Sequence, residues 1–152
     1  MKLNYLPSHQ ELNTFADDRG VFVPFLNNAE VLSSGKKNLI KRIYYIYNFG
    51  MGVIRGFHFH KKEWKYFTVV SGSAKFIAIN PKNPKQIFTF ISSDRKANLI
   101  IIPPGFANGW VSLENNTILV CASTSSLEES LKDDKRFDPY RWGKDIWKVR
   151  GR

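Results

Sequence analysis

Gly52-Val53-Ile54-Arg55-Gly56-Phe57-His58-Phe59-His60-Lys61-Lys62-Glu63-Trp64-Lys65, running on to Gly72, is the stretch around which the chain is organised. Read as a strand, it places Ile54, His58 and His60 on one face, because strand side chains alternate with a period of two. Two of the three histidines in the sequence therefore point the same way, about 7 Å apart along the strand. Such a pair suits a metal site, an acid/base pair or a stacked structural pair.

Outward from this stretch, the chain reads as strand after strand. Residues 64–70 and 73–79 flank Ser71-Gly72, a strong hairpin signal. Asn80-Pro81-Lys82-Asn83-Pro84 reads as a loop, residues 86–91 as a strand, and residues 98–102 as a short apolar strand stopped by Pro103-Pro104. Residues 109–113 and 117–122 predict a second hairpin across Glu114-Asn115-Asn116. Upstream, Asp17-Asp18-Arg19-Gly20 is a turn before a short strand over residues 21–25. Residues 39–47 form a longer strand with Ile43, Tyr45 and Tyr47 on one face and Tyr44 and Ile46 on the other. His9, among polar neighbours, is expected at the surface.

Nine or ten strands with turns every 8–12 residues and no βα alternation indicate an all-β sandwich or barrel. The one helix signal is Ser126-Leu127-Glu128-Glu129-Ser130-Leu131-Lys132, with Ser125 or Ser126 as its cap. No internal repeat or linker divides the chain, so one domain over residues 1–152 is expected.

The chain has 152 residues, 43% of them hydrophobic and 24% charged, which fits a folded soluble domain with a sizeable core. No apolar run reaches the ~18 residues of a membrane span. The first residues lack a signal-peptide pattern, and the single cysteine, Cys121, rules out an intrachain disulfide. These features favour the cytoplasm. The net charge is +10, with clusters at Lys36, Lys37, Lys41 and Arg42, at Lys61, Lys62 and Lys65, and along the tail from Lys132. An anionic ligand is the sharper reading of that charge. No helix-turn-helix, zinc-finger or RNP pattern is present, so a phosphorylated small molecule fits better than nucleic acid.

His58-x-His60, four residues, Lys65, six residues, Gly72 resembles the first cupin motif, with lysine where a metal-binding glutamate usually stands. Pro103-Pro104-Gly105-Phe106-Ala107-Asn108 resembles the second, with asparagine where the third histidine ligand usually stands. The resemblance implies a cupin double-stranded β-helix, or jelly roll. An ammonium among the ligands would repel a divalent ion. The expected site therefore holds no metal, and no cofactor is expected.

Asp18-Arg19-Gly20, Arg55-Gly56-Phe57-His58, Lys65 and Pro104-Gly105-Phe106-Ala107-Asn108-Gly109 together resemble nucleotide-sugar epimerases of the dTDP-4-dehydrorhamnose 3,5-epimerase type. Lys41-Arg42-Ile43-Tyr44-Tyr45-Ile46-Tyr47 leading to Arg55-Gly56-x-His58-x-His60-Lys61-Lys62 is closer to the dTDP-4-keto-6-deoxyglucose 3,4-ketoisomerases. The resemblance covers roughly residues 17–125. It implies a 4-keto-6-deoxy sugar on a nucleotide diphosphate as substrate, a role in surface polysaccharide sugar biosynthesis, and a homodimer; the alternative is a cupin that binds the nucleotide sugar without turning it over.

A C–H bond beside a carbonyl is acidic; a base removes its proton while a cationic group holds the enolate oxygen. Return of the proton to the other face gives an epimer, and return at the neighbouring carbon moves the carbonyl. By resemblance, His58 is the base and Lys65 the oxyanion holder, with His60 a relay beside His58. Arg55, and Arg19 from a neighbouring protomer, would clamp the diphosphate. Tyr45 and Asn108 are expected at the pocket wall. The epimerases' proton-donating tyrosine falls at Cys121 here, and their histidine-orienting aspartate corresponds to one of Asp133, Asp134 or Asp138.

Overall fold

The computed structural model describes residues 5–26 and 39–149. Lys36 and Lys37 of the first basic cluster, and the ends of the chain at residues 1–4 and 150–152, lie outside them. Two antiparallel five-stranded sheets face each other as a jelly roll. One runs in the order β1 (Ser8–Glu11), β9 (Asn98–Ile102), β6 (Lys65–Ser71), β11 (Thr117–Ser123), β4 (Arg42–Asn48). The other runs β12 (Lys135–Arg136), β5 (Ile54–Phe59), β10 (Ala107–Ser112), β7 (Ser73–Asn80), β8 (Asn83–Ser93). β2 (Phe15–Asp17) and β3 (Gly20–Phe22) make a separate two-stranded ribbon around the Asp17-Asp18-Arg19-Gly20 turn.

Both hairpins expected around the central strands are absent. β6 pairs with β9 and β11, whereas β7 pairs with β8 and β10. Gly72, at φ +76°, carries the chain from one sheet to the other. A side chain there would meet Thr117 Oγ1 at 2.7 Å. The Glu114-Asn115-Asn116 turn does the same between β10 and β11. A jelly roll needs such jumps, because its neighbours along the chain sit in opposite sheets. The 80–84 segment is not a loop either: β8 starts at Asn83 and pairs back on β7 in a tight hairpin.

Three apolar layers explain why β7, β9 and β10 are buried almost without a break on both faces. Between the sheets lie Phe67, Phe76, Ile100, Trp110 and Leu119. On the outer side of the first sheet, Trp64, Tyr66 and Leu99 are covered by N-terminal residues including Tyr5, Val23 and Phe25. On the outer side of the second, Phe57, Ile77 and Val111 are covered by Trp147, Phe137 and Trp142 of the tail. Each fully buried aromatic of this kind contributes about 1.5–3 kcal/mol relative to exposure. The two ends of the chain thus act as lids on a double-sided core.

The helix α1 (Leu127–Asp133) begins at Ser126, whose hydroxyl accepts from Glu129 N–H while the Glu129 carboxylate accepts from Ser126 N–H. This reciprocal cap satisfies two otherwise unpaired donors. Among the described residues no helix is long and apolar enough to cross a membrane.

Candidate active site

The two sheets and α1 enclose a cavity of about 870 Å³. β4 contributes Tyr44 and Ile46, β5 contributes Ile54, Arg55 and His58, and β6 contributes Lys65 and Phe67. β10 adds Asn108 and Trp110, and the segment after α1 adds Asp134, Arg136 and Phe137. His60, just beyond the end of β5, also reaches it. The shared face expected for His58 and His60 is therefore found, with both rings on the cavity.

β5 is held in place from both sides. Its His58 pairs with Asn108 of β10 and Arg136 of β12. The β5–β10 register shifts between Asn108 and Trp110, at Gly109. A Cβ on Gly109 would lie 2.7 Å from the Arg55 carbonyl oxygen and 2.9 Å from the Trp147 ring, so only glycine permits this approach. Asn108 lines the cavity, but its amide donates to the His58 carbonyl at 3.0 Å. It braces the backbone of the histidine strand.

His58 is half-buried, and its Nδ1 lies 3.0 Å from Asp134 Oδ1. Asp134 is the C-cap of α1, where the helix stops and the chain turns back into β12. Its neighbour Asp133 accepts from the backbone N–H groups of Lys61 and Lys62 at 2.8 and 3.0 Å. The acid after the helix thus reaches the ring, and the acid before it ties down the turn behind His60. Asp138, the third candidate, accepts from Tyr140 N–H instead.

Lys65 is only 6% exposed, and its Nζ donates to His60 Nε2 at 3.0 Å. His60 Nδ1 lies 3.0 Å from Glu63 Oε2, a carboxylate with no solvent exposure. Burial lowers the His58 pKa below its usual value, Lys65 lowers it further, and Asp134 opposes both. Burial and then Lys65 push His60 down to about 4, against Glu63 and Asp134. Both imidazoles are thereby neutral at neutral pH. Burial by itself would raise the Asp134 carboxyl, but hydrogen bonds from Arg136 and His58 outweigh it and hold the group below the usual carboxylate value.

His58, His60 and Asp134 offer ligand atoms all within 4.8 Å of one another, a spacing compatible with a divalent ion. The Lys65 ammonium already uses the lone pair of His60 Nε2. A cation placed there would sit beside a buried positive charge. The donor set fits proton transfer and does not fit a metal.

Two sequence expectations need correction. Tyr45 is 73% exposed on the outer face of β4 and is no part of the cavity wall; Tyr44, on the opposite face of that strand, takes this place. Cys121 is fully buried behind the wall, and burial pushes its thiol up to about 12, so it is a packing residue. Arg19 stands at the tip of the β2–β3 ribbon, paired with Asp17 and with its side chain 86% exposed. It does not reach the cavity of its own chain. Arg55 does, with its Nε donating to Asn48 Oδ1 at 2.6 Å and its terminal nitrogens without a hydrogen bond among the described residues.

The sequence matches the profile of the dTDP-4-dehydrorhamnose 3,5-epimerase family over residues 8–137. A search of curated proteins finds no match. Among solved structures, a dTDP-4-dehydrorhamnose 3,5-epimerase from Bacillus anthracis with TDP and PPi bound is 24% identical, with a TM-score of 0.77 over 95% of this chain and 86% of that one. QdtA, a sugar 3,4-ketoisomerase from Thermoanaerobacterium thermosaccharolyticum in complex with TDP, is 21% identical, with a TM-score of 0.69 over 90% of each chain. ChmJ, a 3'-monoepimerase from Streptomyces bikiniensis in complex with dTDP-quinovose, is 15% identical, with a TM-score of 0.78 over 88% of this chain and 70% of that one.

Proposed function

The chain belongs to the dTDP-4-dehydrorhamnose 3,5-epimerase family, and we propose that it rearranges a nucleotide-linked 4-keto-6-deoxy hexose by removing a proton beside the carbonyl, with His58 as the base. The observation that carries this reading is the His58–Asp134 pair on a cavity wall, beside the buried Lys65. Asp134 holds the His58 proton on Nδ1, which leaves the Nε2 lone pair for the substrate. Lys65 stabilises the oxygen that becomes negative as the C–H bond breaks. Tyr44, from the sheet opposite that of His58, supplies a hydroxyl across the cavity as proton donor. The free guanidinium nitrogens of Arg55, with Arg136 close by, take the diphosphate oxygens.

A second reading, 3,4-keto transposition, is favoured by the Lys65–His60 contact. There a proton must leave the O3 hydroxyl and arrive on O4. The Lys65 ammonium can pass one of its own protons to His60 Nε2 as it takes the O3 proton and recover it as it gives one to O4, both groups ending as they began, while His58 moves the proton between the carbons.

A homodimer completes the proposal. β4 is an edge strand whose outer face presents Ile43 and Tyr45, and the β2–β3 ribbon presents Phe15, Val21 and Phe22. Both suit burial against a second copy, and Arg19 at the ribbon's tip can serve a phosphate only in a neighbouring protomer.

Incubation with dTDP-4-keto-6-deoxyglucose in deuterated water tests the reading. Deuterium at C3 and C5 means a double epimerase, and at C3 with the carbonyl kept means a single one. A carbonyl moved to C3 means a ketoisomerase. No deuterium and no new product, with this sugar or its GDP counterpart, would remove the proposal.

A further inference from the structure

Glu63 has more partners than a surface carboxylate needs and none of them is substrate. Its Oε1 accepts from Arg42 Nη2 at 3.0 Å and from the Ser123 hydroxyl, and its Oε2 accepts from the Ser130 hydroxyl at 2.8 Å. These three donors come from β4, β11 and α1. Its side chain has no solvent exposure, and it does not line the cavity. A fully buried carboxylate is expensive to maintain without a purpose beyond packing.

The same Oε2 lies 3.0 Å from His60 Nδ1. That nitrogen is buried and makes no aligned hydrogen bond among the described residues. Imidazole rotation about its last bond is soft, so a small turn converts the contact into a hydrogen bond. On the other side of the ring, an ammonium can only donate, so Lys65 requires a bare lone pair on Nε2. The single proton of neutral His60 must then be on Nδ1, facing Glu63. Glu63 and Lys65 therefore favour the same tautomer, against the more distant Asp134 Oδ1, 3.5 Å from Nε2.

We propose that Glu63 is the positioning residue of His60, fixing its proton on Nδ1 and so making Nε2 the second proton-accepting nitrogen of the site. His58–Asp134 and His60–Glu63 then form two carboxylate–imidazole pairs side by side, the first leaving Nε2 open to the cavity and the second leaving Nε2 to take its proton from the Lys65 ammonium that donates to it. The groups that face His60 are Lys65 from β6, Glu63 from the turn before it, and Asp133 and Asp134 from the end of α1. Lys65 opposes protonation of the ring and the three carboxylates favour it. Glu63, the buried one, prevents His60 from becoming too weak a base to take the proton at all. This inference rests on the proton-transfer reading of the site, and the measurement below separates the two.

Nitrogen-15 NMR of the wild-type protein reads the tautomer directly. The expected result is a protonated Nδ1 and a bare Nε2 on His60 at pH 7. A protonated Nε2 would overturn the proposal, with no variant required. Glu63→Gln keeps the shape and removes the charge. It should lower the His60 titration midpoint by about one pH unit or more, and the rate of proton relay by about tenfold for each unit. KM should stay unchanged, because Glu63 does not touch the cavity. Ser130→Ala, which removes one donor and leaves the charge, should preserve the Nδ1 tautomer even if Glu63→Gln folds poorly. An unchanged His60 midpoint and tautomer in Glu63→Gln overturns the positioning role. Should the wild type turn over no keto sugar, the function reading fails, while the NMR result still decides the role of Glu63.

Discussion

Tyr44 and Cys121 face each other directly across the β4–β11 ladder, with the phenol against the thiol. Side chains opposite one another on paired strands compete for the same space. A small residue at 121 therefore leaves the tyrosine on the adjacent strand room to line the cavity. Burial, reinforced by Cys121, raises the Tyr44 pKa far above its usual value, so it stays a protonated donor.

Tyr44→Phe should let deuterium enter at the carbon that His58 deprotonates while slowing product formation by roughly 10²–10⁴. Comparison of isotope wash-in with product yield measures this. Product formation at the wild-type rate would remove Tyr44 from the donor role.

Asp134→Asn should lower kcat by roughly 10²–10⁴, as loss of a group that sets the tautomer of a catalytic base does. Asp134 also supports protonation of His58. Its loss should therefore move the acid limb of the rate profile to lower pH. A lower kcat with an unmoved limb would mean that the aspartate serves only to hold the tail.

The pH dependence follows from depressed histidines. A base must be neutral to accept a proton, and His58 lies below 6.5, so the acid limb of kcat/KM should fall below pH 6.5. For stability, His60 binds its proton less readily folded, near 4, than unfolded, near 6.5. Its contribution is full above pH 6.5 and is lost as pH falls toward 4. The loss is on the order of 3 kcal/mol. Urea titrations at pH 7 and pH 4 check it, with His60→Gln expected to flatten the difference.

Chelation should leave the rate unchanged, since Lys65 competes with any cation for His60. Lys65→Met should lower the rate by roughly 10²–10³ through loss of the oxyanion partner. Stoichiometric metal in the purified wild type, lost together with activity on chelation, would contradict both statements.

Gly109→Ala should destabilise the fold by about 1–3 kcal/mol, because the new methyl meets backbone and the Trp147 ring with no flexible end to yield. Denaturant midpoints measure it. A neutral effect would mean that β5 and β10 can slide apart.

The histidine strand was legible because the covalent spacing of His58, His60 and Lys65 fixes them within one turn of chain. The sequence does not separate Asp134 from Asp133 and Asp138, because the choice depends on the residue at which α1 stops. The alternation of β4 is visible in the sequence, but the inward place of Tyr44 is not. Period two separates two faces without saying which is inward, and here both carry aromatics. The two false hairpins share one cause. A glycine or Asn-rich turn looks the same whether the next strand pairs back or crosses to the other sheet. Glu63 left no signal at all, since a carboxylate in a lysine-rich turn reads as surface.

The strand order also has a consequence for synthesis on the ribosome. β1 pairs with β9, β4 with β11, and β5 with β10 and β12. Residues 8–59 thus hold three strands, β1, β4 and β5, whose partners are translated after them. The nascent chain must keep those edges from pairing with other molecules until β9 to β12 follow. His58 meets its aspartate only when residue 134 has left the exit tunnel, so an interrupted message yields a chain with a base and no means to orient it.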